Sequence, residues 1–140
     1  MKPKKVLVVI FAILLAAFFL TRCMPIHTSF SRGKVVYKYE YAGVEFEDTL
    51  TQEEVEAVVS VLQGKFRHSS FIGMPSCGWD WDIAIILDGR RYMLGRDTCG
   101  TVFIGGMLPN STFYYIDISD EEQDILEAIF TSRGGIFPCI

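Results

Sequence analysis

The sequence has few of the residues that bind metals or phosphates. Histidine occurs only at His27 and His68, and no Cys-x-x-Cys pair is present, so the usual ligand spacing of a zinc site is missing. The paired glycines at 105–106 and 134–135 lie in neither a Gly-x-Gly-x-x-Gly nor a Walker pattern, so they do not indicate a phosphate-binding loop. We therefore expect no metal site and no cofactor.

Basic residues are also scarce beyond the N-terminus. The first 23 residues hold four of the 13 basic residues and none of the 17 acidic ones, so the rest of the chain has nine basic and 17 acidic residues, a net charge of −8. Nucleic-acid binding requires Lys and Arg to neutralise phosphates. We expect no nucleic-acid partner, and such an acidic domain would suit a basic partner or simply remain soluble.

The longest feature that is present is an uncharged apolar run from Val6 to Leu20, preceded by Lys2, Lys4 and Lys5. This is the layout of a secretory signal. As a helix the run covers about 22 Å, less than the ~30 Å hydrocarbon core, so it would span a membrane only with help from its flanks. The lysines favour a cytoplasmic N-terminus. We expect residues 6–20 to enter the membrane and the rest of the chain to lie outside the cytoplasm.

The segment Leu20-Thr21-Arg22-Cys23 resembles a bacterial lipoprotein signal, except that Arg22 stands where a small residue is expected. Three outcomes stay open: a retained signal-anchor helix, lipidation at Cys23, or plain cleavage. Each suits a bacterial cell envelope. The predicted division is a signal or anchor at 1–23, a short polar tether at 24–33, and one extracytoplasmic domain at 34–140.

Three cysteines, Cys77, Cys99 and Cys139, lie in the exported part, where an oxidising compartment permits disulfides. Cys77 and Cys99 flank a predicted hairpin whose turn is Asp88-Gly89, so we predict that they are bonded. The hairpin register places Cys99 opposite Gly78, and a bulge would bring the sulfurs together. Cys139 is the competing partner.

The predicted fold is one α+β domain. Capping boxes begin helices at Thr51-Gln52-Glu53-Glu54 and Ser119-Asp120-Glu121-Glu122, each followed by an apolar stripe. Alternating apolar residues predict strands between them. The order is ββαββββα, a mostly antiparallel sheet with the two helices packed on one face. The predicted strands are 34–41, 44–47, 81–87, 91–94, 101–104 and 112–116.

The segment Cys77-Gly78-Trp79-Asp80-Trp81-Asp82 is the most distinctive motif. On a strand, Asp80 and Asp82 would share one face about 6.5–7 Å apart. That separation suits a carboxylate pair for glycosidic hydrolysis. In the alternative, Trp81 joins Ile83 in the core and the aspartates are solvated, facing Arg91 or Arg96, which is the usual consequence of strand alternation.

Exposed aromatic residues offer a second kind of site. Helices cover only one face of the sheet, so some aromatic side chains must lie near solvent, and Trp79, Tyr114 and Tyr115 are the candidates for a binding surface. We expect a membrane-tethered, non-catalytic binding module that engages a protein or another envelope component. The alternatives are a glycosidase-like envelope hydrolase using Asp80 and Asp82, and an accessory subunit that acts through its membrane helix.

Overall fold

The N-terminal apolar run forms a helix, α1, Pro3–Cys23, in a computed structural model of the protein. The structure describes residues 3–23, 25–27, 29–70, 73–96, 99–105, 108 and 112–137. All residues from Pro3 to Leu20 are exposed, and this stretch is long and apolar enough to cross a membrane, a criterion that a signal sequence also meets. The apolar helix predicted from the sequence is therefore present.

The remaining elements form a seven-stranded antiparallel sheet and two helices, which confirms the α+β class. The strands lie side by side in the order β2-β1-β4-β5-β6-β7-β3. The element order along the chain is roughly as predicted, with one strand more, because β3 is a two-residue strand too short to show an alternation pattern. The elements are β1 Gly33–Tyr39, β2 Val44–Thr49, α2 Gln52–Leu62, β3 His68–Ser69, β4 Ile83–Leu87, β5 Arg90–Leu94, β6 Thr101–Gly105, β7 Thr112–Asp117 and α3 Asp120–Thr131.

Both helices begin at the predicted capping boxes. Thr51 Oγ1 accepts a hydrogen bond from the Glu54 N–H at 3.2 Å, and Glu54 Oε2 accepts one from the Thr51 N–H at 2.8 Å. Ser119 and Glu122 repeat the arrangement at α3. Each box pairs two N–H groups that the helix itself leaves unpaired, so the sequence determines where the helices start.

The helices cover one face of the sheet and form the main core with it. Leu62, Leu126 and Phe130 are buried there against Tyr37 and Ile85, among other strand residues. Asp88 and Gly89, between β4 and β5, both have positive φ, as a type I′ turn requires. The turn sets the register of the two strands, and the register determines which of their residues face the helices. Side chains at alternate strand positions therefore point away from the helices.

The residues that follow α1 contact the domain. The N–H of Ile26 donates to the carbonyl of Lys65 at 2.8 Å, the N–H of Gly64 donates to the carbonyl of Ile26 at 3.0 Å, and Ile26 is buried in the main core. Pro25 forms a bridge with Phe66. Ile26, a residue of the predicted tether, is thus held against the connection between α2 and β3 by backbone hydrogen bonds.

Candidate binding surface

The sheet face opposite the helices carries a second, smaller apolar cluster. Ala84, Met93 and Phe103, one from each of the three central strands, are completely buried although no helix in the described part of the chain covers them. They are covered by partly buried side chains: Cys77, Trp79, Trp81 and Tyr115. The chain from Cys77 to Trp81 therefore folds over this face of the sheet.

A disulfide holds that segment in place. Cys77 and Cys99 are bonded, with an S–S distance of 2.04 Å and a Cα–Cα distance of 6.3 Å, which confirms the predicted pairing. Gly95 lies directly beneath the bond, since a Cβ on Gly95 would meet Sγ of Cys99 and approach Sγ of Cys77 to 3.4 Å. Cys139, the competing partner, lies outside the described residues.

The predicted backbone register around the disulfide was wrong. The carbonyl of Gly78 accepts a hydrogen bond from the N–H of Arg96 at 2.8 Å, and Trp79 bridges Gly95, so Gly78 faces Arg96 and not Cys99. The reason is that residues 81–82 form a turn before β4, whereas the prediction continued the strand through them. As a result, the residue opposite Gly78 is Arg96, which lies three positions before the predicted partner Cys99.

The two aspartates of the motif lie on this turn and not side by side on a strand. Asp80 Oδ1 accepts a hydrogen bond from the N–H of Asp82 at 2.9 Å, and Asp80 Oδ2 lies 3.2 Å from Nη2 of Arg96. Asp82 is exposed. Both oxygens of Asp80 thus have structural partners. No group of three or more metal-ligating side chains occurs among the described residues.

The tryptophans pack on the face opposite the main core. Trp79 contacts Trp81 and Phe103, with ring centroids 6.4 Å apart in each pair. Trp81 does not join Ile83 in the main core, as the alternative interpretation expected, because the turn directs it to the other side. The guanidinium carbon of Arg91 lies 4.9 Å from the centre of the Trp81 ring, and its Nη1 donates to the Trp81 carbonyl at 2.7 Å.

Tyr115 continues the row of aromatic rings toward the sheet edge. Its ring is 6.4 Å from that of Phe103 and stacks on His68 at 5.1 Å with an interplanar angle of 28°. His68 Nε2 lies 3.2 Å from Oδ2 of Asp117. We call Trp79, Trp81, Tyr115 and His68 the aromatic surface.

Tyr114 lies on the other face of the sheet. It packs against the main core, and the guanidinium carbon of Arg67 lies 5.1 Å from the centre of its ring. The three aromatic residues proposed from the sequence are therefore divided, with Trp79 and Tyr115 together and Tyr114 apart. Sequence reasoning did not place His68 and Arg91 beside these rings, because the contacts of both residues depend on how the strands pair and where the chain turns.

Comparison with known proteins gives the chain no relatives from which to infer a function. No protein-family model matches it, and neither the curated proteins nor the solved structures yield a significant match. The class of protein is therefore defined by its own features: an α+β domain that contains the Cys77–Cys99 disulfide, behind an N-terminal apolar helix.

Proposed function

We propose that this protein is a membrane-tethered binding module of a bacterial cell envelope, with its domain outside the cytoplasm. The module uses the aromatic surface to bind another protein or an envelope component, and it catalyses no reaction. The exposed apolar α1 and the Cys77–Cys99 bond support the placement, because α1 is suited to a membrane and disulfides persist in oxidising compartments.

The observation that carries the binding role is the way the aromatic surface is held. Trp79 and Trp81 lie on a segment that has no helix or strand of its own, yet the Cys77–Cys99 bond and the cluster beneath it fix their position. Rigid aromatic side chains give a large contact area and lose little conformational entropy on binding. A preorganised group of this kind is typical of a recognition surface.

The polar groups around the aromatic surface would supply specificity. Arg91 lies against Trp81, and the Asp80–Arg96 and His68–Asp117 pairs lie on either side of the rings. An apolar centre with a polar rim is the usual anatomy of a protein interface. The contacts of Asp80 with Arg96 and with the turn backbone support a structural role for this carboxylate.

The binding role is tested by photocrosslinking in intact cells. A photocrosslinking amino acid in place of Asp82, which is exposed beside the rings, should give a discrete covalent adduct, and Trp79→Ala and Tyr115→Ala should each reduce it. The same probe in place of Tyr41, an 81% exposed tyrosine, serves as the control. Equal adducts from both positions, or an adduct unaffected by both alanine variants, would argue against the aromatic surface.

The tether is tested separately by the intact mass of the native protein extracted from membranes. A full-length mass identifies α1 as a retained anchor. A mass that lacks the first 22 residues and includes acyl chains identifies Cys23 as a lipid anchor despite Arg22. A mass that lacks the signal and carries no lipid would remove the tether from the proposal.

A further inference from the structure

A cavity of about 250 Å³ lies on the helix-covered side of the sheet, away from the aromatic surface. Arg67 and Arg90 line it together with Tyr92, His27 and Phe30. We propose that this cavity binds the phosphate of an anionic lipid headgroup. Three properties of the cavity favour such a ligand: two arginines without acidic partners among the described residues, a tyrosine in the same lining, and a position close to the end of α1.

Arg67 is held in place without an anion to neutralise it. Its Nε is buried and, among the described residues, has no hydrogen-bond partner. Its guanidinium lies over the ring of Tyr114, a contact that orients the group, and the residue lines the cavity. A buried N–H donor without a partner is costly, so an acceptor that reaches it would be favoured.

Arg90 lines the cavity together with Arg67 and Tyr92. Burial raises the pKa of Tyr92, and the positive charges of Arg90 and Arg67 partly offset that rise. Both guanidinium groups therefore act on the Tyr92 side chain, which is itself 3% exposed. Two cations and a hydroxyl donor that converge on one small cavity are a suitable set of ligands for a tetrahedral oxyanion.

The two arginines of the cavity are not neutralised by carboxylates of the described residues. Arg96 and Arg133 are paired with carboxylates, whereas within the described part of the chain Arg67 and Arg90 form no ion pair. Asp88 also acts on Tyr92, but it does not line the cavity. Two neighbouring arginines repel each other unless an anion lies between them, so the local charge favours a bound phosphate in spite of the acidic domain.

The position of the cavity favours a lipid as the source of that phosphate. Pro25 and His27 line it, and they follow the end of α1 by two and four residues, so the cavity wall lies within roughly 15 Å of the helix end. The headgroup layer on each side of a bilayer is about 5–8 Å thick. Phe66, bridged to Pro25 and 56% exposed, is placed to enter the same layer. The choice of a lipid as the source of the phosphate rests on the membrane placement in the proposed function, whereas the anion site itself does not.

The test uses the full-length, ¹⁵N-labelled protein in dodecylmaltoside micelles, which contain no phosphate. The Nε–Hε signal of Arg67, assigned by its loss in Arg67→Gln, is followed during titration with dihexanoyl phosphatidylglycerol and, separately, with inorganic phosphate at constant ionic strength. We expect a saturable shift with the lipid. Arg90→Gln should weaken that binding by roughly tenfold or more, since hydrogen bonds to charged groups are the strong ones.

A matched control is available at Arg32, which is exposed and does not line the cavity. Arg32→Gln removes the same charge and should leave the titration unchanged, and backbone spectra of all variants show whether they are folded. A shift with inorganic phosphate at the same concentrations as with the lipid would overturn the lipid source. No saturable shift with either probe would overturn the anion site itself, whatever the outcome of photocrosslinking at the aromatic surface.

Discussion

Arg133 binds both carboxylate oxygens of Glu54, with Nη1 2.6 Å from Oε1 and Nη2 2.9 Å from Oε2, although the two residues are 79 positions apart. Both side chains are mostly buried, at 16% and 21% exposed. Nε of Arg133 also lies 3.3 Å from Oδ2 of Asp48. One arginine just beyond the end of α3 thus joins the first turn of α2 to strand β2.

Replacement of Arg133 should destabilise the domain. Arg133→Met removes the two charge-assisted hydrogen bonds to Glu54 and leaves that carboxylate partly buried, so we expect the free energy of unfolding to fall by roughly 1–3 kcal/mol. Urea denaturation of the full chain in detergent, followed by circular dichroism, measures the change. Lys34→Met is the control, because it breaks the exposed Lys34–Glu47 pair and should cost about 0–1 kcal/mol.

The same ion pair predicts a dependence of stability on pH. The hydrogen bonds from Arg133 hold the pKa of Glu54 below its ordinary value of 4.5. Since the unfolded chain takes up this proton first, the stabilisation is present above about pH 4.5 and is lost as the pH falls through the lower pKa of the folded state. Glu54→Gln should reduce the loss of stability in this acidic range, measured by urea denaturation at a series of pH values. Glu53→Gln, in the same helical turn, is the matched control, and equal slopes for the two variants would contradict the prediction.

Gly95 should be needed for the disulfide to close. In Gly95→Ala the new Cβ would overlap Sγ of Cys99 and would lie 3.4 Å from the carbonyl oxygen of Thr101, which is backbone and cannot move aside alone. We expect a loss of roughly 1–3 kcal/mol, typical of overpacking, and a smaller bonded fraction of Cys77 and Cys99 in non-reducing peptide maps.

The control for this glycine is Gly73→Ala, since no described atom lies within 4 Å of a Cβ at Gly73. It should leave both the unfolding free energy and the peptide map nearly unchanged. If Gly95→Ala behaves like Gly73→Ala, the disulfide does not lie against Gly95. A bond from Cys77 to Cys139 in the parent protein would contradict the arrangement of the whole segment.

The aspartates should be dispensable for any activity of the module. Asp80→Asn keeps an oxygen that can accept from the N–H of residue 82, so the double variant Asp80→Asn/Asp82→Asn should fold. Because the photocrosslinking residue already takes the place of Asp82, Asp80→Asn is combined with that probe and should leave the adduct unchanged. Hydrolysis of isolated cell-wall glycan by the parent, lost in the double variant, would instead favour the glycosidase-like alternative.

Local signals in the sequence predicted most of the fold. The capping boxes at Thr51 and Ser119 and the Asp88-Gly89 turn each depend on residues within a few positions, and all three are present. The turn before β4 was not predictable, because alternation of polar and apolar residues continues through Trp81 and Asp82 even though the backbone turns there. Long-range packing over the second cluster decides that conformation.

The candidate sites were predictable only in part. Trp79 and Tyr115 were identified as candidates because helices cover only one face of the sheet and some of the many aromatic side chains must lie near solvent, and these two do share a face. Tyr114 lies on the other face, since neighbouring residues of a strand point in opposite directions. The cavity lined by Arg67 and Arg90 was not predicted, because these residues are distant along the chain and share a cavity only in the folded sheet.

The most direct test of the central claim is the labelling of Lys34 and Lys38, both exposed on β1, with a membrane-impermeant amine reagent before and after lysis. In cells from which any outer membrane has been removed, mass spectrometry should find both lysines modified before lysis, to the same extent as afterwards. Modification that appears only after lysis would place the domain in the cytoplasm and contradict an envelope binding module.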